Sequence, residues 1–365
     1  EHGAGEPGAV QRVGARLAAR LLEAAPQLRL LATSREALGL AAERPHELPP
    51  LAPDEAALLF LQRANTPDAD RDVVLRLVAA LDHLPLAIEL AAARATLLSP
   101  EAILARLTSR FALLSRGPAD APARHRTLRA TLDWSWDLLD EPDRRALAAC
   151  SVFRGSFPAE AAEAVVGTPD ALDLLESLRE RSLIRAAPTP QDPGTPRLRL
   201  LQSVRDYAEE RLEERAEAAV AQDRHRRWVV AEGLTLADTL ASAQGERAMV
   251  RLGLLLDDLV AVHERFSDSA PEDSVRAALC AVSWLFRQGP MSMHERLLDA
   301  CIAIGARHPL PDALRSRVHL RRCIALRHQG RGDEGEIDGR RAVELAVGAG
   351  DPRLEGKALL ALAAL

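Results

Sequence analysis

Thr33, Ser34 and Arg35 form a polar cluster that directly follows a short apolar run at residues 28–32. We predict that this run is a buried β-strand, and that a helix over 9–25 precedes it because apolar residues recur there at three- to four-residue spacing. A strand after a helix indicates an α/β layer. Polar residues at the carboxyl end of such a strand lie in the crevice where these sheets bind ligands. The cluster is therefore the first candidate binding site.

The chain lacks most patterns on which lysine, serine or zinc chemistry depends. Every one of its 47 basic residues is arginine except Lys357. This excludes a Schiff base and a phosphate-loop lysine upstream of that position, and Lys357 itself does not stand in a Gly-x-x-x-x-Gly-Lys-Ser/Thr pattern. The sequence also contains no Gly-x-Ser-x-Gly and no His-Glu-x-x-His motif, so hydrolase catalysis is the weakest reading.

The cysteines are widely spaced, at Cys150, Cys280, Cys301 and Cys323. With no Cys-x-x-Cys pair, this spacing favours reduced thiols in helical cores over disulfides or a zinc site. His319 lies four residues before Cys323 and could share a helix face with it. Packed helices explain these positions better than a metal site.

The composition indicates a helical protein. Of the 365 residues, 47% are hydrophobic and only 3% are aromatic, which favours helices built from Leu and Ala over a strand-rich sandwich or barrel. No apolar stretch of eighteen residues occurs, which excludes a membrane span, and we expect a cytoplasmic protein. The chain begins at Glu1 and its first methionine is Met249, so we expect a piece of a longer protein.

Residues 54–116 have helical periodicity throughout. We predict that Asp54 caps a helix over 55–64, that Asp70 begins a second through Leu81, and that a third covers 86–98. Ser99 followed by Pro100 predicts the start of a fourth. The Gly- and Pro-containing stretch 117–123 is a predicted linker.

Residues 124–215 have the element order of a winged helix. The predicted helices cover 126–139, 141–151, 158–166 and 170–181. Two strands over 182–187 and 197–201 then form a hairpin, and a helix over 202–216 follows. Beyond residue 217 the chain is predicted to be helical to its end, and its Gly-containing breaks indicate stacked helix pairs with a period near 34 residues.

Five motifs, in this order, carry a resemblance to a known family. They are LLATSRE at 30–36, LPLAIELA at 84–91, RTLRATLDWSWDLL at 126–139, SVFRGSF at 151–157 and LLQSVRDYA at 200–208. Together they closely resemble the signal-transduction ATPases with numerous domains (STAND), the bacterial relatives of NB-ARC proteins. The helical tail resembles the tetratricopeptide-like (TPR-like) repeats that these proteins carry.

The resemblance implies a nucleotide-operated switch with a mainly α fold. In the family, ADP is clamped between an α/β domain, a helical domain and a winged helix, and exchange for ATP opens the arrangement and permits oligomerisation. The implied regions here are a remnant of the P-loop α/β domain at 1–50, a helical (ARC1-like) lid at 51–118, a winged helix at 119–215 and an α-solenoid of helix pairs at 216–365. The repeats would bind an inducer or protein partner.

The resemblance also assigns roles to single residues. Arg35 matches the sensor arginine that reads the γ-phosphate, and a guanidinium can bind phosphate oxygens bidentately. Thr33 and Ser34 belong to the same motif and are carried over as nucleotide-binding residues. Pro85, with Leu84 beside it, matches the proline of a Gly-Leu-Pro-Leu motif that packs near adenine.

Three departures from the family pattern bear on nucleotide binding. His83 stands where the motif before Pro85 has glycine, which changes the backbone freedom of that turn. The winged-helix motif that supplies a phosphate-contacting histidine falls on residues 200–202, Leu-Leu-Gln, which argues against a clamp on ADP from there. The phosphate loop and the magnesium-binding acidic strand would lie before Glu1.

We therefore expect ATP, ADP and Mg²⁺ to be cofactors of a full-length ATPase, while this chain alone neither hydrolyses ATP nor holds ADP tightly. An alternative is an α-solenoid interaction scaffold with a degenerate nucleotide module. Direct DNA binding is disfavoured, because residues 120–215 hold 14 arginines against 18 acidic residues.

Overall fold

A computed structural model describes residues 9–25, 27–32, 38, 40–41, 43–44, 46, 48–95, 97–107 and 128–365. The chain divides into two compact units. The first comprises Glu1–Ser151, Val166–Ala186 and Arg199–Ala218, and the second comprises Val152–Val165, Ala187–Leu198 and Ala219–Leu365. Helices dominate the described residues, so the predicted mainly α class is confirmed. The predicted limits of the four regions stay predictions.

The elements are numbered in chain order. The helices that precede the first strand are α1 (Ala9–Ala24), α2 (Pro53–Ala64), α3 (Arg71–Ala80), α4 (Pro85–Ala92), α5 (Pro100–Ala105), α6 (Leu128–Asp137) and α7 (Glu141–Cys150). Then follow β1 (Phe157–Pro158), α8 (Ala159–Val166), α9 (Ala171–Glu180), β2 (Ile184–Ala186), β3 (Arg197–Leu200) and α10 (Gln202–Glu214). The remaining helices are α11 (Ala218–Thr239), α12 (Gly245–Leu254), α13 (Leu256–Arg265), α14 (Pro271–Gln288), α15 (Met291–Arg307), α16 (Asp312–His328), α17 (Gly332–Ala349) and α18 (Pro352–Ala363).

The helix starts in the first unit follow from their capping residues. Asp70 accepts hydrogen bonds from the N–H groups of Asp72 (2.8 Å) and Val73 at the start of α3, and Ser99 accepts one at the start of α5. These two predicted caps are confirmed. The prediction for Asp54 was wrong, because α2 begins one residue earlier, at Pro53, and places Asp54 inside the first turn.

The predicted strand at residues 28–32 is absent. These residues carry no regular secondary structure, and Leu31 is 99% exposed. A strand needs a neighbouring strand to satisfy its backbone groups. None pairs with this run among the described residues, so its apolar side chains face solvent. The third helix of this region is also shorter than predicted, because α4 ends at Ala92 and turns follow it.

Three short strands form one sheet in the order β1-β3-β2. Strands β1 and β3 pair antiparallel, with Phe157 opposite Leu198 and Pro158 opposite Arg197. The predicted hairpin of β2 and β3 is confirmed. Strand β1 was not predicted, because a two-residue strand contains too little sequence to show alternation.

In the second unit the helices stack as pairs. Helix α14 packs on α15 and α16 packs on α17, while α16 also contacts both α14 and α18. Gly330 and Gly350 take left-handed conformations, with φ of 75° and 63°, in the turns that end α16 and α17. Helix pairs with glycine breaks were predicted and are confirmed. All four cysteines are free thiols inside this and the first unit's helical cores.

None of the helices that the structure describes is both long enough and apolar enough to cross a membrane.

Candidate functional site

The structure describes only part of the predicted nucleotide site. Thr33, Ser34 and Arg35 lie outside the described residues. Leu84 is the N-cap residue of α4 and Pro85 is the first residue of that helix, where a missing N–H costs nothing. Leu84 is half-buried and Pro85 is exposed, so the predicted adenine-side residues lie at the surface of the first unit.

The turn before α4 has a strained backbone. Asp82 and His83 both take left-handed conformations, with φ of 57° and 53°. His83 donates from its backbone N–H to the Val78 carbonyl (3.0 Å) and accepts at its carbonyl from Leu51 N–H (3.2 Å). His83 stands at the position where the Gly-Leu-Pro-Leu motif of the STAND resemblance has glycine. The turn therefore keeps a conformation that favours glycine without having one.

The carboxylate of Asp82 lies at the N-terminus of helix α10. It is buried and accepts from Gln202 N–H (2.8 Å), Ser203 N–H (2.9 Å) and the Ser203 hydroxyl (3.0 Å). The N-cap residue of α10 is Leu201, whose side chain has no acceptor. Asp82 thus supplies, from 120 residues away in sequence, the cap that the local sequence lacks.

This contact joins two motifs that are far apart in the sequence. The turn before Pro85 meets residues 200–202 through one carboxylate, and the STAND resemblance maps its phosphate-contacting histidine onto those residues. A helix N-terminus attracts anions because its N–H groups and its dipole point outward. Here a protein carboxylate takes that position. The sequence signal for it was a helix start at Leu201 with no capping side chain.

A second buried carboxylate organises the start of the repeats. Asp258 on α13 accepts from Arg154 N–H (2.8 Å), and its Oδ1 lies 3.0 Å from Nε2 of His225 on α11. Both ionisable side chains are fully buried. The ring of His225 meets Phe153 edge to face, and Phe153 stacks on Phe157 at 4.2 Å between centroids. The two phenylalanines therefore have a structural role, in packing against this buried pair.

The loop between β2 and β3 is held by an ion pair. Asp192 is buried at the tip of this loop, and its Oδ1 accepts from Nε (3.0 Å) and Nη2 (2.9 Å) of Arg247 on α12. Helix α9, which stands in the position of a reading helix, exposes Asp173, Glu176 and Glu180. Neither feature suits a phosphate backbone, since such a surface needs unpaired cations.

His319, the candidate partner of Cys323, lies 2.7 Å from Asp338 through Nδ1 and Oδ1. No group of three or more potential metal ligands occurs among the residues that the structure covers. A cavity of about 130 Å³ lies beside His319 and Cys301. It is smaller than the roughly 300 Å³ at which small-molecule pockets begin.

Several bacterial proteins are similar to this chain in sequence. The uncharacterized protein Rv0894 of Mycobacterium tuberculosis is 38% identical over 218 residues, which are 57% of this chain and 56% of that protein. A second M. tuberculosis protein, which bears the name HTH-type transcriptional regulator Rv0890c, is 37% identical over 258 residues, 67% of this chain and 29% of that protein. The regulatory protein AfsR of Streptomyces griseus is 29% identical over 351 residues, 93% of this chain and 33% of its own length.

This chain is similar to parts of bacterial proteins, two of which bear regulatory names. It spans 56% of the length of the first mycobacterial relatives and about a third or less of the larger ones. No protein-family model matches it. The regulatory names of these two relatives agree with the resemblance that the five motifs carry, at the level of a bacterial regulator.

A solved structure of a STAND protein with a tetratricopeptide repeat sensor, from Pyrococcus horikoshii, also matches. The match has 12% identity and a TM-score of 0.27, and it covers 86% of this chain and 50% of the other. A TM-score of this size does not establish a shared fold, so the kinship rests on the sequence relatives.

Proposed function

We propose that this chain is the regulatory and sensor part of an ATP/ADP-dependent signalling switch of the STAND type, which controls transcription or another effector. The observation that carries the proposal is the contact of Asp82 with Gln202 and Ser203. It ties the turn of the predicted helical lid to the first turn of the helix that closes the predicted winged helix.

A contact of this kind suits a two-state element. Its hydrogen bonds are charge-assisted and buried, so they stabilise the closed arrangement while they persist. Opening exposes the carboxylate and the helix N-terminus to water, which rehydrates both and offsets part of the loss. Such an equilibrium can be biased by a ligand that prefers one state, as an exchangeable nucleotide would.

In this proposal the nucleotide chemistry belongs to a longer protein that carries this chain. Mg²⁺ and a phosphate loop would act there. Arg35, Thr33 and Ser34 would complete the site on the side of the γ-phosphate. Leu84 and Pro85 would complete it on the side of the adenine. The 365-residue chain should therefore hold ADP only weakly. Titration calorimetry tests this, and we expect no heat of binding at micromolar ADP. Micromolar or tighter binding would overturn the proposal that tight nucleotide binding requires the longer protein.

The repeats would bind the inducer or protein partner, since stacked helix pairs offer an extended surface for recognition. Direct DNA binding by residues 119–215 is not part of the proposal. The Asp192–Arg247 ion pair and the acidic face of α9 support its exclusion. A gel shift of random duplex by this chain, weakening as salt is raised, would contradict it.

A further inference from the structure

Arg321 lies on α16 where that helix contacts α14. Its Nη2 is 3.5 Å from the Ser283 hydroxyl of α14, and the side chain is also close to Cys280 and Arg287 of the same helix. Arg317 stands one turn before Arg321 on the same face of α16. The surface where the two helices meet is called the groove below. Arg321 and Arg287 lie near each other on it, and helical spacing places Arg317 on its α16 side.

None of these three arginines forms an ion pair among the described residues, whereas other arginines of the same two helices do. Arg322 of α16 forms ion pairs with Asp299 (3.1 Å) and Asp338 (3.3 Å), and Arg276 of α14 pairs with Glu272 and Asp273. Within the continuously described range 128–365, no carboxylate lies within 4 Å of the guanidinium groups that line the groove, those of Arg287, Arg317 and Arg321.

Arg321 lies at an exposed position, with like charge nearby. Protein around its guanidinium lowers the pKa of this group by displacing water, and the charge of Arg287 lowers it further. Like charges held together without a counterion repel each other. An oxyanion in the groove would remove the repulsion and could accept bidentate hydrogen bonds from arginine.

We propose that the groove between α14 and α16 binds an acidic segment of a protein partner, whose carboxylates pair with Arg287, Arg317 and Arg321. The inference rests on the proposed function, in which the repeats bind a partner, and it names the chemistry of that partner. It is not a new catalytic site.

Two features favour an acidic peptide over a phosphate ligand. The guanidinium groups are spread over two helices and along one of them, instead of converging on one point. The same face of α16 continues past Arg321 to Ile324 and His328, and the His328 ring packs against Phe286 of α14 at 5.1 Å between centroids. Such a mixed surface suits a chain with alternating carboxylates and apolar groups.

The test is fluorescence anisotropy of the 365-residue chain with a short labelled oligoglutamate, and with an oligoglutamine of equal length. We expect the glutamate peptide to bind at least about tenfold more tightly, and R321Q to lose about tenfold in affinity. The matched control is R340Q, which removes an exposed arginine of α17 that pairs with Glu336, and it should stay within about twofold of the unsubstituted chain.

Circular dichroism shows whether each variant is folded. If R321Q is not, R317Q, one turn earlier on the same face of α16, supplies the same comparison. Equal binding of the two peptides, equal loss in R321Q and R340Q, or displacement of the peptide by low millimolar inorganic phosphate would overturn the proposal. The assay needs no nucleotide, so its failure would not contradict the nucleotide-dependent switch. The switch is tested separately, by hydrogen exchange in two nucleotide states.

Discussion

The buried carboxylate of Asp82 caps helix α10 by accepting from both the backbone N–H and the hydroxyl of Ser203, at 2.9 and 3.0 Å. The contact bridges two motifs that are far apart in the sequence. Asp82 accepts all three hydrogen bonds of this contact, whereas the Ser203 hydroxyl donates only one of them. Most of the consequences of losing the contact should therefore follow from changes at Asp82.

We predict that Asp82→Ala lowers the free energy of unfolding by about 2 kcal/mol, because it removes a cap and leaves the N–H groups of Gln202 and Ser203 without their acceptor. Urea denaturation followed by circular dichroism measures the change. Asp54→Ala is the matched control, since Asp54 is 75% exposed and forms a surface ion pair with Arg71. Equal losses of unfolding free energy in the two variants would show that the buried cap stabilises the chain no more than a surface ion pair does.

The left-handed backbone at His83 predicts how substitutions at this position rank in stability. His83→Gly should leave the urea midpoint unchanged or slightly raised, because relief of about 1 kcal/mol of strain is offset by the freedom that glycine gains on unfolding. His83→Val should lower it, since a β-branched residue is least tolerated at positive φ. A valine variant as stable as the parent chain would show that the turn relaxes to another conformation.

The Asp258 contact predicts a larger effect in the second unit. Asp258→Ala leaves buried His225 and the Arg154 N–H without their acceptor, and we expect a loss of about 3 kcal/mol in the free energy of unfolding. Asp257→Ala changes the same residue type at the exposed neighbouring position and should cost much less. Thermal melts compare the two variants. Equal melting temperatures would contradict the prediction.

Two buried histidines predict loss of stability in acid. Burial lowers the pKa of His263 and of His294 below the ordinary 6.5, and for His294 the charge of Arg321 on α16 lowers it further while Glu295 opposes this. The native state thus binds fewer protons than the unfolded chain. The stability that these groups contribute is present above the ordinary pKa and is lost as the pH falls below it.

His294→Met tests this linkage directly. Both ring nitrogens of His294 lack a hydrogen-bond partner and the ring packs on Phe286, so methionine fills the space without stranding a polar group. Between about pH 7 and pH 5 the melting temperature of the variant should fall by less than that of the unsubstituted chain. An identical slope in both proteins would mean that His294 does not take up a proton on unfolding.

The elements that local sequence controls could be predicted. Asp70 and Ser99 cap the helices that follow them, the alternation at 197–200 marks a strand, and Gly330 and Gly350 end helices. Trp136 is buried while Trp134 is 42% exposed, because residues two apart on a helix lie on different faces. In each case the deciding interaction lies within a few residues of the position concerned.

The interactions that failed prediction are long-range. The run at 28–32 has the composition of a strand, but a strand forms only when a neighbour pairs with it. Asp82 gave no sign of its partner because Ser203 is 121 residues away. For the candidate site, the sequence placed Leu84 and Pro85 at a turn before a helix, whereas the acceptor that links this turn to α10 emerged only from the fold.

Hydrogen exchange at Gln202 and Ser203, in the full-length protein that the proposed function requires, tests the central claim most directly. The amides would be compared in the ADP state and with a non-hydrolysable ATP analogue, with the buried α14 amide of Val282 as an internal reference. The switch account predicts that both amides are protected with ADP and exchange at least about tenfold faster with the analogue, while Val282 is unchanged. Equal protection in the two states would contradict it and favour a scaffold whose contacts ignore the nucleotide.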